Sequence, residues 1–442
     1  MTADALIENL STIHPKGYDL SLDRIRSVLS RLDDPHLKIP PTIHVAGTNG
    51  KGSTIAFCRA MLEAAGFAVH VHTSPHLVSW NERFRIGSPT GGTLVSDSVL
   101  EAAVERVIQA NGDAPITIFE ILTAAMFLLF SEHPAQCCLI ETGLGGRFDA
   151  TNVIAEPKSS IITNIALDHQ SYLGDRLELI AAEKAGIIKP GCDVVIGPQV
   201  DVVQAVLEEA ALSRSSPAFV AGQDFTFFEQ GGRFVYQDEL GLLDLPIPRL
   251  SGAHQLANAA SAIAALRISE FSISENAFEQ AMETVHWPGR MERLRNGDLQ
   301  RHLTKANGSP VEIWIDGGHN PGAGMVISHF LADLDERAPM PVFLIAGMLN
   351  TKDPKGYFQS FEGIAERVFT VPVPGTDAGI EPRQLTEIVN SAGLPASTCL
   401  SVADALEAVT GLLADSEPAR ILICGSLYLV GDVLRANNTL PQ

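Results

Sequence analysis

Apolar residues in this chain gather in short, largely apolar runs, and between the runs they recur every three or four positions. Ile43–Ala46, Ala68–His72, Cys137–Glu141, Ser159–Ile165 and Asp193–Gly197 are such runs and predict buried strands. Helical spacing occupies Ile55–Ala65, Ser96–Ala110, Phe119–Glu132 and Arg176–Ala185. Upstream, Leu20, Ile25, Val28, Leu29 and Leu32 predict one or two amphipathic helices within residues 1–40, broken by Pro35, Pro40 and Pro41. Trp80–Ile86 mixes polar and aromatic residues and reads as loop. Residues 217–247 alternate aromatic and polar around Gly231-Gly232, the pattern of a β-hairpin. Helices are expected near Ala253–Arg267 and Ser274–Val285, and Pro288-Gly289 looks like a hinge. Beyond it Val311–Asp316, Val342–Ala346, Val368–Val371 and Ile421–Cys424 are strand-like, with helices between.

Such alternation means mostly parallel sheets covered on both faces, and a chain of 442 residues exceeds one comfortable core. Two α/β domains divided near residue 297 are expected. The formal net charge of −21 argues against nucleic acid as a partner, because phosphate backbones need basic surface. Six cysteines show no CxxC and no zinc spacing, so reduced core thiols are expected, with Cys137 and Cys138 on opposite faces of their strand. The N-terminal residues carry acids without a basic secretory segment, and Ile121–Phe130 is too short to span a membrane. A cytoplasmic, monomeric protein without membrane contact is the expectation.

The chemistry centres on residues 41–54. The run Ile43–Ala46 ends in Gly47-Thr-Asn-Gly-Lys51-Gly52-Ser53-Thr54, and a helical pattern follows. Strand, Gly-rich turn with lysine, hydroxyl and helix form a phosphate-loop arrangement. Its glycines let backbone N–H groups turn toward phosphate oxygens, Lys51 supplies charge, and a hydroxyl could hold Mg²⁺. The spacing is one residue shorter than the usual pattern, and an ordinary Gly-rich turn is the plain alternative. Other polar residues also follow predicted strands: Ser74, Glu141, His169, and in the second half Asp316 and His319. In open parallel sheets ligands collect at those carboxyl ends.

Each of these residues also admits a plainer role. Glu141 suits Mg²⁺ but could cap a helix, and Ser74 could be a turn hydroxyl before Pro75. His169 could be a metal ligand, a proton carrier or a core histidine. Lys184 reads more readily as a surface lysine than as a buried one. Asp316-Gly-Gly-His-Asn-Pro321 could be only a tight turn opening a helix.

Taken together, the segments Gly47–Thr54, Thr73–Leu77 with Asn81–Phe84, Glu141–Asn152, Thr163–His169, Glu183–Ile187, Ser251–Ala259, Pro288–Arg293, Asp316–Pro321 and Cys424–Gly431 resemble the folylpolyglutamate synthase/dihydrofolate synthase family of the Mur ligase superfamily. They run through nearly the whole chain in family order; Thr142 and Gly318 depart slightly from it. The resemblance implies an α/β fold in which a P-loop-containing parallel-sheet domain with a small β element, residues 1–297, precedes a smaller Rossmann-like domain, residues 298–442. It implies ATP as co-substrate, bound by Asn49, Gly50, Lys51, Gly52, Ser53, Asn258, Arg290 and Asp316. It implies two Mg²⁺ sites with Ser74, Glu141 and His169 as ligands, and carbamylation of Lys184. The pterin would lie near Thr117, Ile118, Phe119, Glu120, Phe148, Asp149 and Ala150, and His319 would face the incoming glutamate. Lys51, Lys184 and His319 are the implied catalytic residues.

The implied reaction is ATP-dependent ligation of L-glutamate to dihydropteroate or a reduced folate through an acyl phosphate, most simply by a bifunctional bacterial-type enzyme. Another Mur-type ligase is the first alternative; about forty residues before the phosphate loop leave little room for the extra domain such ligases carry. A nucleotide-binding regulatory protein is the second.

Overall fold

The computed structural model describes residues 3–13, 21–269, 271–299, 301, 311–413 and 418–441. Eight strands form the first sheet: β1 (Thr42–Ala46), β2 (Val69–His72), β3 (Phe84–Ile86), β4 (Thr93–Leu94), β5 (Cys137–Glu141), β6 (Ser159–Ile162), β7 (Asp193–Ile196) and β8 (Ala218–Val220). Their order is β4-β3-β2-β5-β1-β6-β7-β8, and only β3, antiparallel to both β2 and β4, runs against the rest. The segment expected as loop thus contains β3, where fully buried Phe84 pairs with His72 and pulls the chain onto the sheet edge.

Crossover helices follow the strands because a parallel pair cannot be joined by a tight turn. The helix Lys51–Ala64 begins at Lys51 rather than Ile55, with Gly50 at φ +92° leading into it. It packs with the helices Ala253–Ile268 and Glu275–Thr284 on one face of the sheet. The helices Asp23–Arg31, Asp97–Asn111 and Ile118–Glu132 cover the other face. Cys137 points into the first of these cores and Cys138 into the second, as the period of two requires. Ile25, Val28 and Leu29 are buried and Leu32 packs against them, whereas Leu20 lies outside the described residues.

Residues 226–246 form three strands, not a hairpin: β9 (Thr226–Gln230), β10 (Arg233–Asp238) and β11 (Gly241–Pro246) make an antiparallel meander. The turn at Gly231-Gly232 is the one the pattern marked. The second, at Glu239-Leu240, has no comparable signal before Gly241. Phe234, Tyr236, Leu243 and Leu245 face the core beside the Ala253–Ile268 helix.

The second sheet holds β12 (Glu292–Leu294), β13 (Val311–Asp316), β14 (Val342–Ala346), β15 (Arg367–Thr370), β16 (Ala396–Thr398) and β17 (Ala419–Cys424), in the order β12-β13-β17-β14-β15-β16. All are parallel except β12, which pairs antiparallel with β13 directly after Pro288-Gly289. Among the described residues no helix is long and apolar enough to cross a membrane. In the first sheet β2, β5, β1 and β6 are consecutive neighbours, so four of the polar-tipped segments share one stretch of its carboxyl edge.

Candidate active site

The phosphate loop is held from several sides. Thr48 and Asn49 both donate their backbone N–H to the Asn164 carbonyl, at 2.8 and 3.1 Å. Thr163 Oγ1 donates to Asn49 O at 2.8 Å. A Cβ on Gly47 would stand 1.8 Å from that hydroxyl, so only glycine lets β1 and β6 deliver the loop this closely. Lys51 curls back to the carbonyls of Gly47 (3.1 Å) and Thr48 (3.3 Å). Lys184, from the helix Leu177–Lys184, donates to the same Gly47 carbonyl at 2.7 Å.

Lys184 is therefore not the surface lysine its helix suggested; it is 5% exposed. Burial first, then the charge of Lys51, pushes its pKa down to about 7, although Asp168 and Asp149 pull the other way. A lysine whose pKa is lowered in this way is more readily deprotonated, the state in which an amine is nucleophilic.

Glu141 ends β5 and faces this pair. Its Oε1 lies 3.8 Å from Lys51 Nζ, and its Oε2 accepts the Ser74 N–H at 3.1 Å. Three adjacent strand tips thereby meet. Burial pushes the Glu141 carboxyl up, while Lys51, the Ser74 N–H, Arg290 and Arg83 pull it down. A desolvated carboxylate so placed favours a further cation, and Mg²⁺ takes oxygen donors while leaving positions to phosphate and water. Among the described residues no three His, Cys, Asp or Glu side chains stand together at metal-holding spacing. His169 is turned elsewhere. Its Nε2 lies 3.5 Å from Lys352 Nζ and 4.0 Å from Asp168 Oδ1. Desolvation and the charge of Lys352 push its pKa down to about 4, although 46% of its side chain stays open to solvent.

On the other side of the loop, Asn258 Nδ2 donates to Gln255 Oε1 (2.9 Å), and its Oδ1 accepts from Thr54 Oγ1 (3.5 Å). A Cβ on Gly50 would meet that Oδ1 at 2.4 Å. Gln255 Nε2 reaches Ser53 Oγ at 3.5 Å. The Trp287 indole lies against Gly52, where a Cβ would stand 2.7 Å from the ring. Arg290 follows in the same segment and bears on both Glu141 and Asp316.

Second-sheet residues close over this arrangement. Asp316 accepts from Met291 N (2.8 Å) and Gly318 N (2.6 Å), and His319 Nδ1 donates to Gly317 O at 2.9 Å. Asn320 caps the helix Pro321–Arg337 and exchanges amide hydrogen bonds with Asn49 at 3.1 and 3.4 Å. Lys352 Nζ stands 2.7 Å from Asp168 Oδ1, and His319 Nε2 3.5 Å from Asp168 Oδ2. Burial opposes the charge on Asp168, but His319 and Lys352 hold its carboxyl well below the usual range. The motif reading passed over Asp168, Lys352, Gln255 and Trp287. The strand-end rule could have found Lys352, which lies in Asn350-Thr-Lys-Asp353 after buried β14.

The segments 117–120 and 148–150 meet through the loop after β5. Phe119 lies against Gly143, whose N–H donates to Asp149 Oδ2 at 2.9 Å. Within these segments the polar groups are engaged in holding the backbone. Thr117 and Glu120 form the capping box of the helix Ile118–Glu132, and Glu120 pairs with Arg24 at 3.1 Å. Asp149 also accepts from Leu144 N and Thr151 N, and burial pushes its carboxyl up. Ile118 and Ala150 pack into the adjoining core. Half-buried Phe119 and 40%-exposed Phe148 are the aromatic surfaces these segments present.

Known proteins match this chain at both ends. Residues 45–266 match the family described as Mur ligase middle domain, and residues 299–436 the one described as dihydrofolate synthetase, C-terminal domain. A folylpolyglutamate synthase of Lacticaseibacillus casei is 34% identical over 93% of this chain and 92% of its own length. A dihydrofolate synthase/folylpolyglutamate synthase of Escherichia coli is 31% identical over 96% and 93%. Among solved structures, E. coli FolC in complex with DHPP and ADP superposes with a TM-score of 0.86 at 29% identity, covering 99% of this chain and 98% of that one. The Yersinia pestis bifunctional enzyme complexed with AMPPNP and Mn ion gives 0.85 at 30%, with 99% and 98% covered. The shared fold, the phosphate loop and full-length similarity lead to one assignment: the chain belongs to the folylpolyglutamate synthase/dihydrofolate synthase family of the Mur ligases.

Proposed function

We propose that this protein joins L-glutamate to the carboxylate of dihydropteroate or a reduced folate at the expense of ATP. The observation that carries the reading is the meeting of Lys51, Glu141 and Ser74 at adjacent strand tips beneath a loop built for phosphate. A carboxylate is a poor electrophile at neutral pH. Transfer of the γ-phosphoryl of ATP to a carboxylate oxygen, with ADP leaving, gives an acyl phosphate. The glutamate amine then attacks the acyl carbon, loses a proton, and phosphate departs as the amide forms. Positioning and charge stabilisation suffice for both steps.

Asn49, Gly50, Lys51, Gly52 and Ser53 would cradle the phosphates, and Lys51 would follow the moving charge. Asn258, Arg290 and Asp316 border the nucleotide in this reading. Ser74 and Glu141 would hold Mg²⁺, with His169 joining after its ring leaves Lys352. The metal supplies Lewis-acid neutralisation of the phosphate charge when bound. Neutral Lys184 is suited to add carbon dioxide as a carbamate with release of one proton, which would put an anion able to hold a second Mg²⁺ in place of the amine. Phe119 and Phe148 would flank the pterin, and His319 would face the glutamate. The first-sheet unit up to Pro288-Gly289 and the second-sheet unit from β12 onward, divided a few residues before the expected 297, would act as two lobes, and their closure would keep water from the acyl phosphate. Six free cysteines suit an enzyme of the reducing cytoplasm.

Phosphate release by the purified protein with ATP and Mg²⁺ tests the reading. Release dependent on both glutamate and a pterin acid is expected, and parallel assays with dihydropteroate and a reduced folate give the preference. ATP turnover indifferent to glutamate would instead support a regulatory nucleotide-binding role.

A further inference from the structure

One carboxylate joins the two lobes. Asp168 belongs to the loop after β6 of the first sheet, and only 10% of its side chain is exposed. Its Oδ1 accepts from Lys352 Nζ at 2.7 Å and from the His169 N–H at 2.8 Å. Its Oδ2 faces His319 Nε2 at 3.5 Å and Asn320 Nδ2 at 3.3 Å. Lys352 follows β14, while His319 and Asn320 follow β13, and β17 lies between those two strands. Two strand tips of the second sheet are thus drawn to one point on the first.

We propose that Asp168 is a positioning residue: it sets the register between the lobes and holds Lys352 and His319 over the phosphate loop, where the incoming amino acid binds. This rests on the ligase reading above. Lys352 is 7% exposed, so the pair is not a solvated surface bridge of negligible weight. Removing one partner of such a pair strands the other charge in a desolvated place. The neighbouring Asn49–Asn320 amide exchange is a second tie, but it is neutral and 3.1 to 3.4 Å long. By itself it fixes one point of contact; the Asp168–Lys352 pair supplies another, and with Leu77 and Val78 packed against the second-sheet core the points are enough to set an orientation. Asp168 donates nothing to a reacting atom and acts only through the side chains it holds.

Asp168→Asn, Asp168→Glu, Lys352→Met and the Asp168→Asn/Lys352→Met double variant test this in the full-length protein. Asp168→Asn should lower kcat/KM for glutamate by about 100-fold, the scale of a misplacement near 1 Å. ADP affinity, set by the phosphate loop, should stay unchanged. Asp168→Glu should recover part of the loss, and the double variant should be no worse than its weaker parent. Amide hydrogen exchange at residues 317–320 and 349–353 should quicken in Asp168→Asn whether or not the protein turns over. Unchanged exchange, unchanged glutamate kinetics, or strictly additive losses would overturn the proposal. A wild-type protein that releases no glutamate-dependent phosphate yet shows the exchange effect would remove the ligase reading alone.

Discussion

Each sheet carries an acidic residue at the carboxyl end of a buried central strand: Glu141 on β5 and Asp316 on β13. Burial pushes both carboxyls up. Their surroundings part them. Asp316 has one backbone N–H on each oxygen, from Met291 and Gly318, and so ties the β12–β13 junction to the turn before His319. Glu141 has one backbone N–H, and its other oxygen faces Lys51 at 3.8 Å, too far for a hydrogen bond. The same topological position thus yields a loop staple in one lobe and an incompletely satisfied anion in the other. Strand-end placement selects candidates; partner count separates scaffold from chemistry.

Substitution sharpens the contrast. Glu141→Gln should lower kcat on the order of 10³-fold, the scale of losing one preorganised electrostatic group. Its thermal midpoint should hold or rise, because a buried charge with incomplete partners is removed. Asp316→Asn should do the reverse in stability. An amide presents hydrogen to one of the two N–H groups, which should cost about 2 kcal/mol in denaturant unfolding, with a smaller loss of activity. Equal destabilisation by both variants would erase the distinction.

Phe148→Ala carries the comparison to the substrates. Loss of an aromatic face worth about 1 kcal/mol should raise the pterin KM severalfold and leave the glutamate KM alone. A matching rise for glutamate would show that the lobes do not divide the substrates as proposed.

The last contrast leaves activity at neutral pH untouched. Among the described residues the buried histidines are His44, His70 and His72, all on β1 and β2. Burial first, then Lys189 or Arg83 respectively, pushes His44 and His72 down to about 3 from 6.5. Between those values the unfolded chain binds protons that the folded chain refuses, so stability falls as pH drops through this window. On acidification, amides of β1 and β2 should lose exchange protection before those of β13 and β14. Simultaneous loss would argue against it.

Much of this was legible from residue order. The run Cys137–Glu141 is apolar and bounded, so its strand, its split cysteines and the placement of its terminal glutamate followed from periodicity alone. The phosphate loop was readable because Gly47 and Gly50 are required by local backbone geometry. Lys184 was misread because helical spacing cannot reveal a carbonyl on another element, here Gly47, waiting beneath it. β3 was missed because three residues are too few to show a period, and the meander because its second turn lacks a local signature.

Sequence therefore determined which elements form and which polar residues reach the ends of strands, since both depend on neighbours within a few positions. It could not determine that Asp168 meets Lys352, or that both oxygens of Asp316 have a backbone donor while only one of Glu141 does. Those outcomes depend on contacts between residues far apart in the chain, and on the desolvation that only a closed core and two apposed lobes impose.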